Sequence, residues 1–254
     1  MSNQILIRTA QEAGNAILDV YNADDFGTET KDDESPITRA DKAAHAVIQL
    51  ALDKTGIPIL SEEGKVVEYQ ERKKWSKFWM VDPLDGTKEF IKKNGEFTVN
   101  IALIEKGRPT FGVVHVPVSN ETFVGGTDMP AVKLINGKAY SLDKAKSAST
   151  LESMIKIEKI RVVASRSHLN DETKSFMNSL TSPLTVSMGS SLKFMAIADN
   201  KADIYPRFAP TMEWDTAAAH AIMNSLGYKV YKKNTSTELT YNKENLLNPH
   251  FICF

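Results

Sequence analysis

The sequence predicts a layered α+β half, built on a mixed or antiparallel sheet with its helices, packed against a smaller α/β half. Three observations predict it. Apolar residues recur at helical spacing near the start of the chain and again near residue 220. The alternating stretches "EFTVNIALI" and "TFGVVHVPV" read as antiparallel strands joined by a turn at "EKGRP". Beyond about residue 150, strand-like and helical stretches alternate, the order expected of an α/β unit.

Taken in order, Leu6, Ala10, Ala13, Ile17 and Val20 share one face of a first helix. The polar "NADDFGTETKDDESP" follows as a loop or loose hairpin. In "SPITRADKAAHAVIQLAL" a second helix begins at Thr38, with Asp41 three residues later as in a capping box. The short strand in "GIPILSEEG" ends in Glu62 and Glu63. Phe78, Trp79, Met80 and Val81 make a buried strand that ends in Asp82 and Asp85. After "VKLINGKAYSL" the composition changes. "TLESMIKIEK", with the serines and lysines before it, marks a boundary between 1–150 and 151–254. Past it, "IRVVASR" is a strand, "NDETKSFMNSL" a helix, "PLTVSMGSSLKFMAIADN" a strand running into a helix, and "ADIYPRF" a strand. A last helix, "EWDTAAAHAIMNSLG", stops at Gly227.

Bulk properties narrow the function. The chain has 254 residues, and its 31 Lys and Arg against 32 Asp and Glu give a net charge of −1, which disfavours a nucleic-acid partner. Cys253 is the one cysteine, so no intramolecular disulfide forms, and with five scattered histidines a structural zinc site is not expected. No apolar run approaches the ~20 residues of a membrane span, and the first twenty residues lack the pattern of a signal peptide. A cytoplasmic protein is expected, monomeric or homodimeric; any contact with the inner face of a membrane would be peripheral.

The acids carry the chemistry. Singly, each has an ordinary explanation: a Glu pair after a strand is a solvated turn, and Asp41 or Asp215 at a helix start is a cap. The segment "DPLDGT" resists such readings. Pro83 fixes a backbone torsion and Gly86 permits one that other residues resist. Together they can turn Asp82, the Leu84 carbonyl and Asp85 toward one point. Hard oxygen donors without Cys or His suit Mg²⁺, and Glu62 and Asp215 are candidates to complete a second site. Two such ions would clamp a phosphoryl transfer. The Thr87 hydroxyl follows directly, placed to orient a metal-bound water.

These residues resemble the lithium-sensitive, magnesium-dependent phosphomonoesterases related to inositol monophosphatase, whose pattern is Glu-Glu, then D-P-[LI]-D-G-T, then W-D. Here these are Glu62-Glu63, Asp82 to Thr87, and Trp214-Asp215. "SPITRAD", "LSEE", "DPLDGTKEFIKKNGEFTVNIALI", "SRSH", "GSSLKF", "YPRF" and "WDTAAAHA" are similar to the bacterial CysQ branch, the 3′(2′),5′-bisphosphate nucleotidases, from about residue 5 to "LLNPHF". The resemblance implies a layered αβαβα sugar-phosphatase-like fold, two or three Mg²⁺ ions and a part in sulfur assimilation. It implies metal ligands at Glu62, Asp82, Leu84, Asp85 and Asp215, catalytic roles for Glu62, Thr87 and Asp41, and phosphate contacts at Asp85, Gly86 and Thr87. Ala219 stands where this branch often has Gly, and its methyl is expected to tighten a nearby pocket.

For substrate choice, Gly189, Ser190 and Ser191 lead from a strand into a helix start, where open N–H groups and hydroxyls would hold an anion, with Lys193 adding charge. Ser165, His168 and Arg207 are further candidates for substrate contact, and Asp215 faces the same substrate by resemblance. Tyr205 has two readings, near a base or as packing. The expected reaction is hydrolysis of the 3′-phosphate of adenosine 3′,5′-bisphosphate, a small-molecule nucleotide. The alternatives are inositol phosphate or fructose 1,6-bisphosphate as substrate, or a catalytically inactive metal or nucleotide sensor.

Overall fold

The computed structural model describes residues 2–23, 26–30, 36–143, 150–164 and 170–254. The first part runs α1 (Asn3–Tyr21), β1 (Glu29–Thr30), β2 (Pro36–Ile37), α2 (Arg39–Leu52), β3 (Ile59–Ser61), α3 (Tyr69–Arg72), β4 (Lys77–Asp85) and α4 (Thr87–Ile91). An antiparallel run follows: β5 (Thr98–Glu105), β6 (Arg108–Val116), β7 (Glu121–Gly126), β8 (Met129–Ile135) and β9 (Lys138–Ser141). The remainder is α5 (Leu151–Met154), β10 (Arg161–Ala164), α6 (Asp171–Asn178), β11 (Leu184–Ser187) and α7 (Leu192–Ala198). It closes with β12 (Tyr205–Arg207), α8 (Glu213–Ser225), β13 (Val230–Lys232) and β14 (Phe251–Cys253).

Strands β3 to β9 form one seven-stranded sheet in sequence order, with β3 parallel to β4 and each later pair antiparallel. The period of two along its strands sorts the side chains onto two faces. Trp79, Val81, Ile101, Val113 and Val124 meet Leu6, Ala10, Ile17 and Ile48 of α1 and α2. Phe78, Met80, Ala102, Val114 and Phe123 meet α7 and α8 instead. Because both faces are covered, β4 and β5 read as nearly unbroken apolar runs.

The same inner cluster takes in Val163, Tyr205, Phe251 and Cys253, so α7 and α8 lie between the large sheet and a second layer of strands. In that layer β10 pairs in parallel with β11, a parallel bridge joins Val162 to Ile204, and β14 runs between β12 and β13. Its outer side packs Val162, Ile204 and Ile252 against Met154 of α5 and Phe176 of α6. The order of layers is therefore αβαβα. No helix of the described residues is long and apolar enough to cross a membrane.

Most of the local expectations hold. The Thr38–Asp41 capping box is present, β1 and β2 make the loose hairpin, and the last helix ends before Gly227, whose φ is +87°. Two differ. Strand β4 continues through Pro83 to Asp85 rather than ending at Asp82. Strands β7, β8, β9, β13 and β14 have no counterpart in the sequence reading, the last two because three-residue strands carry too little periodicity to show.

Helix α8 lies unusually close to the large sheet. A Cβ on Gly112 of β6 would stand 2.1 Å from the Ala218 carbonyl oxygen, and one on Gly125 of β7 would stand 2.5 Å from Ser225 Oγ. The facing helix side is made of Ala217, Ala218 and Ala221, all buried. Replacing Gly112 with Ala is expected to lower the unfolding free energy by about 1–3 kcal/mol, the usual range for overpacking, read as a lower urea midpoint at unchanged slope.

Candidate active site

The elbow at the end of β4 is a β-bulge. Asp82 pairs with Asn100 and Asp85 with Thr98, so β4 advances three residues while β5 advances two. Residues three apart in a regular strand point to opposite faces. The extra residue cancels that and brings both carboxylates to one side. Pro83 suits the irregular position because it has no N–H to leave unpaired.

Asp82 is 1% exposed, and its Oδ1 accepts the Leu84 N–H at 3.0 Å. Gly86 has φ of +99°, a left-handed conformation that turns the chain into α4. The turn sets the Thr87 hydroxyl 3.2 Å from Asp41 Oδ1 and 3.4 Å from the Leu84 carbonyl. Asp41 holds its place because its other oxygen accepts from the Thr38 N–H at 2.7 Å and hydroxyl at 2.6 Å. The cap expected at Asp41 is thus real, and the second oxygen still reaches Thr87.

Glu62 follows β3, and its N–H donates to the Val81 carbonyl at 3.1 Å, which sets it beside Asp82. Asp215 stands in the first turn of α8, where its Oδ2 accepts the Met212 N–H at 3.0 Å. A buried chain of bonds ties this turn to the elbow. Thr98 donates to Asn100 Oδ1 at 3.1 Å; Asn100 Nδ2 donates to Ser191 Oγ at 3.0 Å and to Asp85 Oδ2 at 3.4 Å. Ser191 Oγ donates to the Asp215 carbonyl at 2.8 Å. Sequence reasoning missed Thr98 and Asn100 here, although two polar residues in the apolar run "FTVNIALI" were a visible signal.

The carboxylates repel one another. Burial pushes Asp82 well above the usual range, and the charges of Glu62, Asp85, Asp215 and Asp41 push the same way. Asp215 is raised likewise by burial and then by Asp85 and Glu62. Burial also raises Asp85, opposed by Lys193 and by its hydrogen bonds to Ser191 and Asn100. Burial raises Asp41, against its bonds from Thr38 and Thr87. Among the described residues no three acidic, histidine or cysteine side chains are gathered tightly enough to hold an ion between them. Asp41, Asp82 and Asp215 each give an oxygen to a backbone N–H instead. The donors still fit a hard divalent cation, being buried, oxygen-only and mutually repelling.

Beside the elbow opens a pocket of roughly 150 Å³. Asp85, Gly86, Gly189, Ser190, Lys193, Arg207 and Asp215 line it. Lys193 is buried, which lowers its pKa to about 8 against the pull of Asp85. Ser190 Oγ and Arg207 Nε are buried without a hydrogen-bond partner among the described residues. Glu89, Phe194, Thr211 and Thr216 also line the pocket, and the sequence reading had not singled them out.

Several expectations need correction or completion. The Gly189 N–H is not open to an anion, since it donates to Glu96 Oε2 at 2.9 Å. The Ser191 hydroxyl is likewise engaged, donating to the Asp215 carbonyl, and α7 starts only at Leu192. Ala219 packs in the central core and does not line this pocket, so its methyl does not narrow it. Tyr205 is a packing residue, 2% exposed and edge-on to Phe194 and Phe251, and it also lines the pocket. Ser165 and His168 lie outside the described residues.

The profile described as the inositol monophosphatase family matches residues 3–250. The chain belongs to that family. Within it, the chain is 44% identical to the 3′(2′),5′-bisphosphate nucleotidase CysQ of Salmonella typhimurium over 248 residues, 95% of each chain. It is 43% identical to the protein of that name from Escherichia coli K12 over 249 residues, again 95% of each. The crystal structure of CysQ from Bacteroides thetaiotaomicron superposes with a TM-score of 0.86 at 42% identity, covering 98% of this chain and 95% of that one. This family's layered fold and the αβαβα order found here agree.

Raised carboxyl pKa values mean that the metal-free folded protein binds more protons than the unfolded chain above pH 3.8, so these groups cost stability as pH rises. In chelator, Asp82→Asn is therefore expected to melt higher than the unaltered protein at pH 7 and to show a flatter decline in Tm from pH 5 upward. A bound divalent cation should stabilise the unaltered protein by about 2.7 kcal/mol at a hundredfold excess over Kd and the variant by less. Thermal melts across pH, with and without metal, check this.

Proposed function

We propose that this chain hydrolyses the 3′-phosphate of adenosine 3′,5′-bisphosphate to give AMP and phosphate. The observation that carries the reading is one pocket lined both by the Asp85 and Asp215 carboxylates and by Ser190 and Arg207, whose Oγ and Nε are buried without a partner among the described residues. That combination suits a substrate with two phosphates, one to be cleaved and one to be held. The printed activity of the full-length relatives supports the same substrate.

The family is metal-dependent, and the metal here is Mg²⁺, two or three ions held by Glu62, Asp82, the Leu84 carbonyl, Asp85 and Asp215. When bound, they supply a water of lowered pKa and offset charge on the departing ribose oxygen. Thr87 directs its hydroxyl proton toward Asp41, which leaves its lone pairs to accept from and orient the attacking water. Thr38 keeps Asp41 in place for that task. Asp85, Gly86 and Thr87 receive the scissile phosphate, with the Asn100–Ser191 chain holding Asp85 toward it. Ser190, Lys193 and Arg207 hold the second phosphate, and Tyr205 forms part of the wall beside it. We assign metal binding mainly to residues 1–150 and substrate contact to 151–254, with Asp215 crossing between them.

Phosphate release should be followed with Mg²⁺ from adenosine 3′,5′-bisphosphate, inositol 1-phosphate and fructose 1,6-bisphosphate in parallel. A large preference for the nucleotide is expected. A preference for the inositol or sugar phosphate would overturn the assignment of Ser190, Lys193 and Arg207, and no turnover with metal still bound would point to a sensor. Asp85→Asn is expected to abolish turnover while the protein remains folded by circular dichroism. Retained turnover in that variant would remove Asp85 from the metal site.

A further inference from the structure

Glu213 is the first residue of α8 and is completely buried, yet it does not line the pocket. Residues two apart on a helix do not share a face, so its carboxylate points away from that of Asp215. It accepts from the Asn242 N–H at 2.5 Å and the Lys243 N–H at 3.0 Å, and also pairs with the Lys243 ammonium. Arg72 grips the same short segment from the other side. Its guanidinium donates to Asn242 Oδ1 at 3.0 Å, the Lys243 carbonyl at 2.6 Å and the Glu244 carbonyl at 2.7 Å. Asn242 Nδ2 returns a bond to the Arg72 carbonyl at 2.7 Å.

Arg72 sits in α3, within the connection that leads from Glu62 to β4 and its elbow. The 240–244 segment is therefore a splint: one side is bonded to the start of α8, the other to the chain between Glu62 and Asp82. Tyr241 anchors the segment further, donating its N–H to the Gly107 carbonyl in the β5–β6 turn at 3.1 Å and meeting His220 of α8 at 2.9 Å through its hydroxyl. Burying two opposite charges this way is not an efficient source of stability, since apolar residues of similar volume often serve as well. Forked, charge-assisted bonds do fix direction and distance.

We infer that Arg72 and Glu213 are positioning residues which, through Asn242 and Lys243, set where Asp215 stands relative to Glu62 and Asp82, and so set divalent-cation affinity. The inference rests on the metal-ligand assignment made under the proposed function. Groups that orient metal ligands from behind typically change metal affinity about 10- to 100-fold when altered. Glu213→Gln and Arg72→Lys are each expected to raise the Mg²⁺ concentration for half-maximal activity by about 10-fold or more, with kcat recovered at saturating Mg²⁺.

Calorimetric titration of the metal-free proteins with Mn²⁺ should show the same weakening without any turnover. Arg161→Lys serves as the stability control, because it breaks a forked pair with Asp203 in the second strand layer and should leave the metal constants unchanged. If either variant fails to fold, Asn242→Ala takes the splint's middle residue and should move the constants in the same direction. Variants that melt lower but titrate as the unaltered protein would overturn the inference. An unaltered protein that binds neither Mg²⁺ nor Mn²⁺ would overturn the functional reading itself, a failure visible before any variant is measured.

Discussion

The site depends first on how closely α8 can approach the large sheet. Backbone contact between Ala218 and Gly112 leaves no room for even a methyl group, so the helix lies nearly on the strands. That depth carries Asp215 down toward the end of β4. A helix held off by ordinary side chains would sit farther out, and the charge of Asp215 would no longer bear on Asp82. Small residues on both partners are the physical condition for the acid cluster. The cost of the two glycines in strand propensity is offset by the buried apolar surface around them, while the alanines favour the helix.

The second constraint is the bulge. Without its extra residue Asp82 and Asp85 would face opposite layers, one of them in the apolar contact with α1 and α2. With it, both turn toward α8, and like charges accumulate in a place with little water. Four carboxylates with raised proton affinity are a poor arrangement for stability alone. They make sense as an oxygen cage for cations, the arrangement expected in this family of phosphatases.

The second half of the chain supplies Lys193 and Arg207 to the same pocket. Burial lowers Lys193 to about 8 against the pull of Asp85. The pocket therefore gathers both signs of charge. The C-terminal segment then binds the halves together, with β14 inserted between β12 and β13 and residues 240–244 tied to both α3 and α8.

What the sequence determined by itself was everything set by near neighbours. The faces of α1, the Thr38–Asp41 box, the turn between β5 and β6, and the stop at Gly227 depend on residues within one or two turns of each other. The acids and Thr87 were legible for the same reason, as was the need for Pro83 and Gly86 between them. Tertiary structure alone decided which face the two Asp side chains share, because a bulge is defined only against the partner strand. It also decided that the Gly189 N–H belongs to Glu96, that Asn100 and Ser191 link the elbow to α8, and that Arg72 and Glu213 both bond to Asn242 and Lys243. Each of these joins groups far apart in the chain, and no local pattern encodes a distance that only packing creates.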